Sequence, residues 1–207
     1  VLAADKKHAG ALQYLAMLEG QRGNLAEAVR LLRRCAKASP RSAEVYTNLG
    51  YALALSGRNQ EAVAAYDQAL AINPTFLTAF NNRGIALRDL KRFADAIASF
   101  DRALAIRPDY ADALYNRGNV LNMVGRWSEA LASFDRALAF TPHDPATWIG
   151  RATALRGLGR LPEAVANLDS VLAAWPAGRT PVLCDEDAPL ADPPAALSSR
   201  QRGSPLA

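Results

Sequence analysis

The chain has 207 residues, 50% of them apolar and 21% charged, with a formal net charge of +4. That is enough apolar material to fold most of the chain. A nucleic-acid footprint needs Lys and Arg clustered on one face. The arginines here recur once or twice per repeat, usually near Asp or Glu, so neither nucleic acid nor a membrane is expected as a partner. No apolar run reaches membrane-spanning length. Cys35 and Cys184 form no disulfide framework, which points to a reducing, cytoplasmic setting.

In chain order, residues 1–8 (VLAADKKH) read as the last turn of a helix and its exit, the end of a preceding repeat. A start at Val1 leaves room for a native N-terminus or signal peptide upstream. Beyond them, Pro40, Pro74, Pro108, Pro142 and Pro176 are each 34 residues apart. This period divides the chain into five units, 9–42, 43–76, 77–110, 111–144 and 145–178. Self-similarity at a fixed period is the signature of a stacked repeat architecture.

Each unit predicts two amphipathic helices, A and B. In the third, helix A covers about 77–90, with Phe80, Gly84, Leu87 and Leu90 on one face at spacings of three and four. Helix B covers about 94–107, with Ala96, Ile97, Phe100, Ala103, Leu104 and Ile106 mostly inward, and Pro108 ends it. Gly57, Gly125 and Gly159 supply the break between helices in units two, four and five, where a positive φ is expected. Small residues recur on the facing helices: Gly50, Gly84, Gly118 and Ala152 on A, and Ala28, Ala62, Ala96, Ala130 and Ala164 on B. Tyr66, Phe100 and Phe134 fill the space beside them. Cys35 stands where other units have Ala69, Ala103 and Ala137, so it reads as a small core residue.

These residues resemble the tetratricopeptide repeat (TPR) family, over about 9–178. Unit two matches the family pattern throughout, with Tyr46, Leu49, Gly50, Leu53, Ala62, Tyr66, Ala69 and Pro74. Units three and four depart from it at Arg83 and Arg117, where Leu is usual, and units one and five have Leu32 and Leu168 for the aromatic. The resemblance implies an all-α, right-handed superhelix of helix-turn-helix units that binds proteins and has no catalytic role or cofactor. An unpaired buried arginine would be costly. Arg83, Arg117 and Arg151 each follow an aspartate of the preceding unit by sixteen residues, which predicts the pairs Asp67–Arg83, Asp101–Arg117 and Asp135–Arg151.

The resemblance also implies a concave wall of A helices, which would hold a peptide or protein segment. On it Asn48, Asn82 and Asn116 form a ladder at the repeat period, and an amide can both donate to and accept from a peptide backbone. Tyr51, Arg88, Tyr115, Asn119 and Asn122 surround the ladder, with Ile85, Asp89, Met123, Gln13, Tyr14 and Met17 nearby. The basic clamp by which some family members hold acidic C-termini is absent, since Thr47, Tyr51, Asn82, Asp112 and Asn116 occupy its positions. An asparagine ladder is also similar to that in the TPR region of O-linked N-acetylglucosamine transferases. On that alternative the chain is a substrate-recruiting arm whose catalytic domain lies elsewhere.

No catalytic or metal motif is present. His8 and His143 stand alone, and Gly157-Leu158-Gly159 reads as a helix end. Residues 179–207 hold five prolines and read as a disordered tail. Without a covering helix, unit five would expose parts of Val165, Leu168, Val171, Leu172 and Trp175, which makes self-association through this end an expectation.

Overall fold

The computed structural model describes the backbone of residues 2–174, and its side chains from Ala9 onward apart from a few near the C-terminal end. The expected tail, 179–207, lies outside the described residues, as do the side chains of Val171 and Trp175. Among the described residues ten helices follow one another: α1 (Leu2–Gln21), α2 (Leu25–Ala38), α3 (Ala43–Leu55), α4 (Asn59–Ile72), α5 (Leu77–Asp89), α6 (Phe93–Ile106), α7 (Ala111–Met123), α8 (Trp127–Phe140), α9 (Pro145–Gly157) and α10 (Leu161–Ala174). Odd-numbered helices are the A helices and even-numbered ones the B helices. No strand occurs among the described residues.

Helix boundaries fall within about one residue of the periodicity in unit three. At the start they do not. Residues 2–8 continue into α1 without a break, rather than closing an earlier helix. The reason is local: nothing before Gly10 breaks a helix, and alanine-rich LAADKKHA propagates one readily. Ile106 also differs from expectation, because it lies exposed at the end of α6.

Successive helices pack as antiparallel neighbours, A on B within a unit and B on the next A between units. A helices of adjacent units also touch, α3 with α5, α5 with α7 and α7 with α9, while the B helices make no comparable contact with one another. The A helices therefore line the inner, concave side of the stack, and the B helices its outer side.

One packing rule fixes the unit. A Cβ added to Gly84 would stand 2.5 Å from the Phe100 ring. The same holds for Gly50 against Tyr66 at 2.6 Å and Gly118 against Phe134 at 2.7 Å. Tyr66, Phe100 and Phe134 are fully buried by this close approach. Units one and five carry Ala16 and Ala152 at the glycine position, and each pairs it with leucine, Leu32 and Leu168, in place of the ring. The A–B approach is thus set by the sum of two side chains, as close packing requires.

Gly23, Gly57, Gly125 and Gly159 all take φ between 72° and 81° at the A–B break. Unit three has Lys91 there instead, with φ 58°. A side chain in the left-handed region carries a steric cost of roughly 1 kcal/mol.

Candidate functional site

The concave wall has a polar layer that ties it to the units behind. Arg83 Nε donates to Asp67 Oδ1 at 2.7 Å, Arg117 Nε to Asp101 Oδ1 at 2.6 Å, and Arg151 Nε to Asp135 Oδ1 at 2.6 Å. Each arginine has a second partner that the periodicity alone did not single out. Arg83 Nη1 donates to Ser99 Oγ at 2.6 Å, Arg117 Nη1 to Ser133 Oγ at 2.7 Å, and Arg151 Nη1 to Asn167 Oδ1 at 2.8 Å. Ser99 and Ser133 pass the chain on by donating to the carbonyls of Asp95 and Glu129. The serines and Asn167 are buried, so a polar atom there needs a partner.

The first junction is built differently. Leu49 replaces the arginine, Ala65 replaces the serine, and Arg33 replaces the aspartate. Leu49 is buried, and Arg33 turns instead to Glu61, Nη2 to Oε2 at 2.8 Å. Polar and apolar versions of the junction are therefore complete sets. The signal in the sequence is a short polar residue sixteen residues after each arginine, serine after Arg83 and Arg117 and asparagine after Arg151.

The asparagine ladder is less uniform than its period. Asn48 is exposed and makes no hydrogen bond to other described residues. Asn82 and Asn116 are half-buried. Asn116 Nδ2 donates to Asn81 Oδ1 at 3.0 Å, and Asn81 Nδ2 reaches Asn82 Oδ1 at 3.5 Å. The Tyr66 phenol below Asn82 is pushed up chiefly by burial and further by Tyr51, with Asn82 opposing the shift. Asn81, buried between the two rungs, is the missed member of the site. Its only sequence signal was the doublet Asn81-Asn82. In unit five the ladder ends, because Gly150 occupies the rung against the Phe134 ring.

Other expected contact residues divide similarly. Asn122 Nδ2 donates to the Gly150 carbonyl at 2.9 Å, a bond between units, while its Oδ1 is buried without a partner. Arg88 Nε bonds Asp89 Oδ1 at 2.8 Å, which neutralises the charge at this point of the wall. The Tyr115 ring packs edge-on against Phe134, centroids 6.3 Å apart. Asn119 is half-buried with no hydrogen bond to other described residues. Four large apolar side chains of the same wall are exposed: Tyr14 at 61%, Met17 at 43%, Tyr51 at 37% and Met123 at 59%. The wall thus combines exposed apolar surface with the free amides of Asn48 and Asn119. Among the described residues no group of three or more His, Cys, Asp or Glu is placed to hold a metal. No described helix is long and apolar enough to cross a membrane.

The tetratricopeptide repeat model matches residues 15–75 and 81–145, and a second model of the same repeat matches 145–169. The chain belongs to the tetratricopeptide repeat family. Its fold is similar to that of a MamA protein, with a TM-score of 0.74 and 22% identity over 84% of this chain and 98% of that one. It is also similar to the structure of pilF from Pseudomonas aeruginosa, with a TM-score of 0.73 and 22% identity over 86% of this TPR chain and 80% of the other. A tetratricopeptide repeat protein from Parabacteroides merdae gives a TM-score of 0.73 at 22% identity, over 83% and 68% of the two chains. No curated protein matches the sequence significantly.

Proposed function

We propose that this TPR protein is a protein-interaction scaffold that holds an extended peptide segment of a partner against its A-helix wall. The observation that carries this reading is the exposure of Tyr14, Met17, Tyr51 and Met123 on one wall beside Asn48 and Asn119. Exposed apolar groups with a few unpaired amides are the composition of a peptide groove. Packed A helices lie about 8–10 Å apart, and an extended chain rises about 3.3 Å per residue. Amides on successive units would then meet roughly every third residue of the segment. Asn82 and Asn116 serve mainly to brace the wall through Asn81, so contact falls on the exposed groups.

The test is selection of a displayed random-peptide library on the full chain, followed by binding measurements on Asn48→Ala/Tyr51→Ala/Asn119→Ala. Loss of at least roughly tenfold in affinity, about 1.4 kcal/mol, supports the reading. Selected peptides that bind the variant as well as the parent refute it.

A second reading, self-association, is favoured by α10. Val165, Leu168 and Leu172 are 58%, 41% and 68% exposed there, while the equivalent Ile97, Phe100 and Leu104 of α6 are buried. A clean monomer in light scattering rejects it. The glycosyltransferase-arm alternative needs a ladder open along its length. Bonded Asn82 and Asn116 and the missing rung at Gly150 rank it behind the peptide groove. Absence of a glycosyltransferase frame fused to the gene would remove it.

A further inference from the structure

The B helices differ sharply in charge. In α2, Arg30, Arg33, Arg34 and Lys37 against Glu27 give +3. In α4, Glu61 and Asp67 give −2; in α6, Asp95 and Asp101 against Arg102 give −1; in α8, Glu129 and Asp135 against Arg136 give −1; in α10, Glu163 and Asp169 give −2. The sequence spreads arginine thinly over the repeats as a whole, but this one helix inverts the sign of its counterparts.

Spacings of three and four put Arg30, Arg33, Arg34 and Lys37 on one helix face, and all four are exposed. Arg58, at the start of α4, joins them around a shallow depression of about 300 Å³ with Val29 at its floor. Among the described residues, only two carboxylates meet these five cations. Glu27 takes Arg30 bidentately, Nε at 2.7 Å and Nη2 at 2.6 Å. Glu61 takes both Arg58, Nε at 2.7 Å, and Arg33, Nη2 at 2.8 Å. Arg34 and Lys37 have no carboxylate partner among the described residues. Glu27 and Glu61 hold three guanidinium groups in place without cancelling the field, and the excess is +3 in one depression. Part of the inversion traces to the apolar first junction: with Leu49 in place of an arginine, position 33 has no cation to pair with and carries a cation itself, while Arg30, Arg34 and Lys37 supply the rest.

We propose that the outer face of α2 is a docking surface for an acidic peptide segment of a partner protein. The size of the patch favours that class of anion. From Arg30 to Lys37 it spans about 10 Å of helix, whereas a duplex neutralised at six to ten phosphates needs a longer track. No aromatic side chain lines the depression to stack a base. Alternate side chains of an extended peptide stand about 6.6 Å apart, so two or three acidic side chains span the patch. Arg34 and Lys37 offer the donors, and guanidinium groups accept carboxylates in bidentate geometry. This surface lies on the B-helix side, so the inference is independent of the groove reading.

The experiment is fluorescence anisotropy of a labelled eight-residue Glu/Asp peptide with the full chain at about 50 mM and about 300 mM salt, with a Gln/Asn peptide as neutral control. Two double variants carry the same charge change: Arg34→Glu/Lys37→Glu in the patch, and Lys91→Glu/Arg102→Glu outside it. Circular dichroism checks that both fold. The expected result is salt-sensitive binding of the acidic peptide alone, weakened at least roughly tenfold by the patch variant and less than twofold by the other. No binding of the acidic peptide, or equal weakening by both variants, overturns the proposal. So does binding of labelled oligouridylate or of phosphatidylserine vesicles under conditions where the peptide does not bind.

Discussion

Replacing Gly84 with alanine tests the packing rule on which the repeat is built. The new Cβ would lie 2.5 Å from Phe100 Cε1 and 2.6 Å from Cζ, closer than any real contact. Phe100 is completely buried, so its ring cannot swing aside without displacing neighbours. Overpacking of this kind costs about 1–3 kcal/mol. Alanine also removes the roughly 1 kcal/mol helix-interior cost of glycine. The net loss for Gly84→Ala is therefore about 0–2 kcal/mol. Phe100→Leu alone leaves a cavity against glycine and costs about 1–3 kcal/mol, at the low end of aromatic truncation. The double variant recreates the Ala–Leu pairing that the chain already uses as Ala16 with Leu32 and Ala152 with Leu168. It should be at least about 1 kcal/mol more stable than the sum of the single losses, as neighbours that share one space are coupled. Urea unfolding of the four proteins, followed by circular dichroism, measures this. Additive losses, or a stabilised Gly84→Ala, would refute the account of how A and B helices approach.

Other expectations are as direct. Lys91→Gly should stabilise the chain by about 0.5–1 kcal/mol, since φ 58° strains lysine more than the extra unfolded-state freedom of glycine costs; urea midpoints read it. A double-mutant cycle on Asp101→Ala and Arg117→Ala should give a coupling of no more than about 1 kcal/mol, because Asp101 is half-exposed. Ser133→Ala should cost about 0.5–1.5 kcal/mol, because it removes one partner of the half-buried Arg117 guanidinium. In alkali, the Tyr110 phenol is pushed up to about 12, first by burial and then by Asp112, against a smaller opposing effect of Arg107. The folded state thus holds a proton that the unfolded state releases above its ordinary value of about 10, so stability is full below pH 10 and falls as pH rises towards 12; a Tyr110→Phe variant should lose that component of the decline.

How much of this was legible in the sequence depends on whether a feature repeats. The helix pairs, the close glycine and the Asp–Arg offset all recur at the 34-residue period, so spacing alone exposes them. Ser99 and Ser133 repeat as well, but serine in a helix has too many ordinary roles to mark a buried bond. Features that occur once are hidden for a physical reason. Asn81 gains its role from burial between two rungs, and burial is a property of the stack. Lys91 takes a glycine conformation because the turn geometry is imposed by the helices on either side. Continuous α1 shows the opposite failure: a repeat boundary placed at residue 9 by periodicity has no local breaker to enforce it. The cationic face of α2 is readable in RLLRR, yet its weight appears only when four acidic B helices are set beside it.

The central claim is that a partner segment lies along the A-helix wall. The most direct measurement is titration of ¹⁵N-labelled chain with a library-selected peptide, following backbone amides and the side-chain amides of Asn48 and Asn119. The account predicts shifts concentrated at Asn48, Tyr51, Asn119 and Met123, with α6 and α8 unmoved on their outer faces. Shifts confined to α2 or to α10, with both asparagine side chains unmoved, would contradict it.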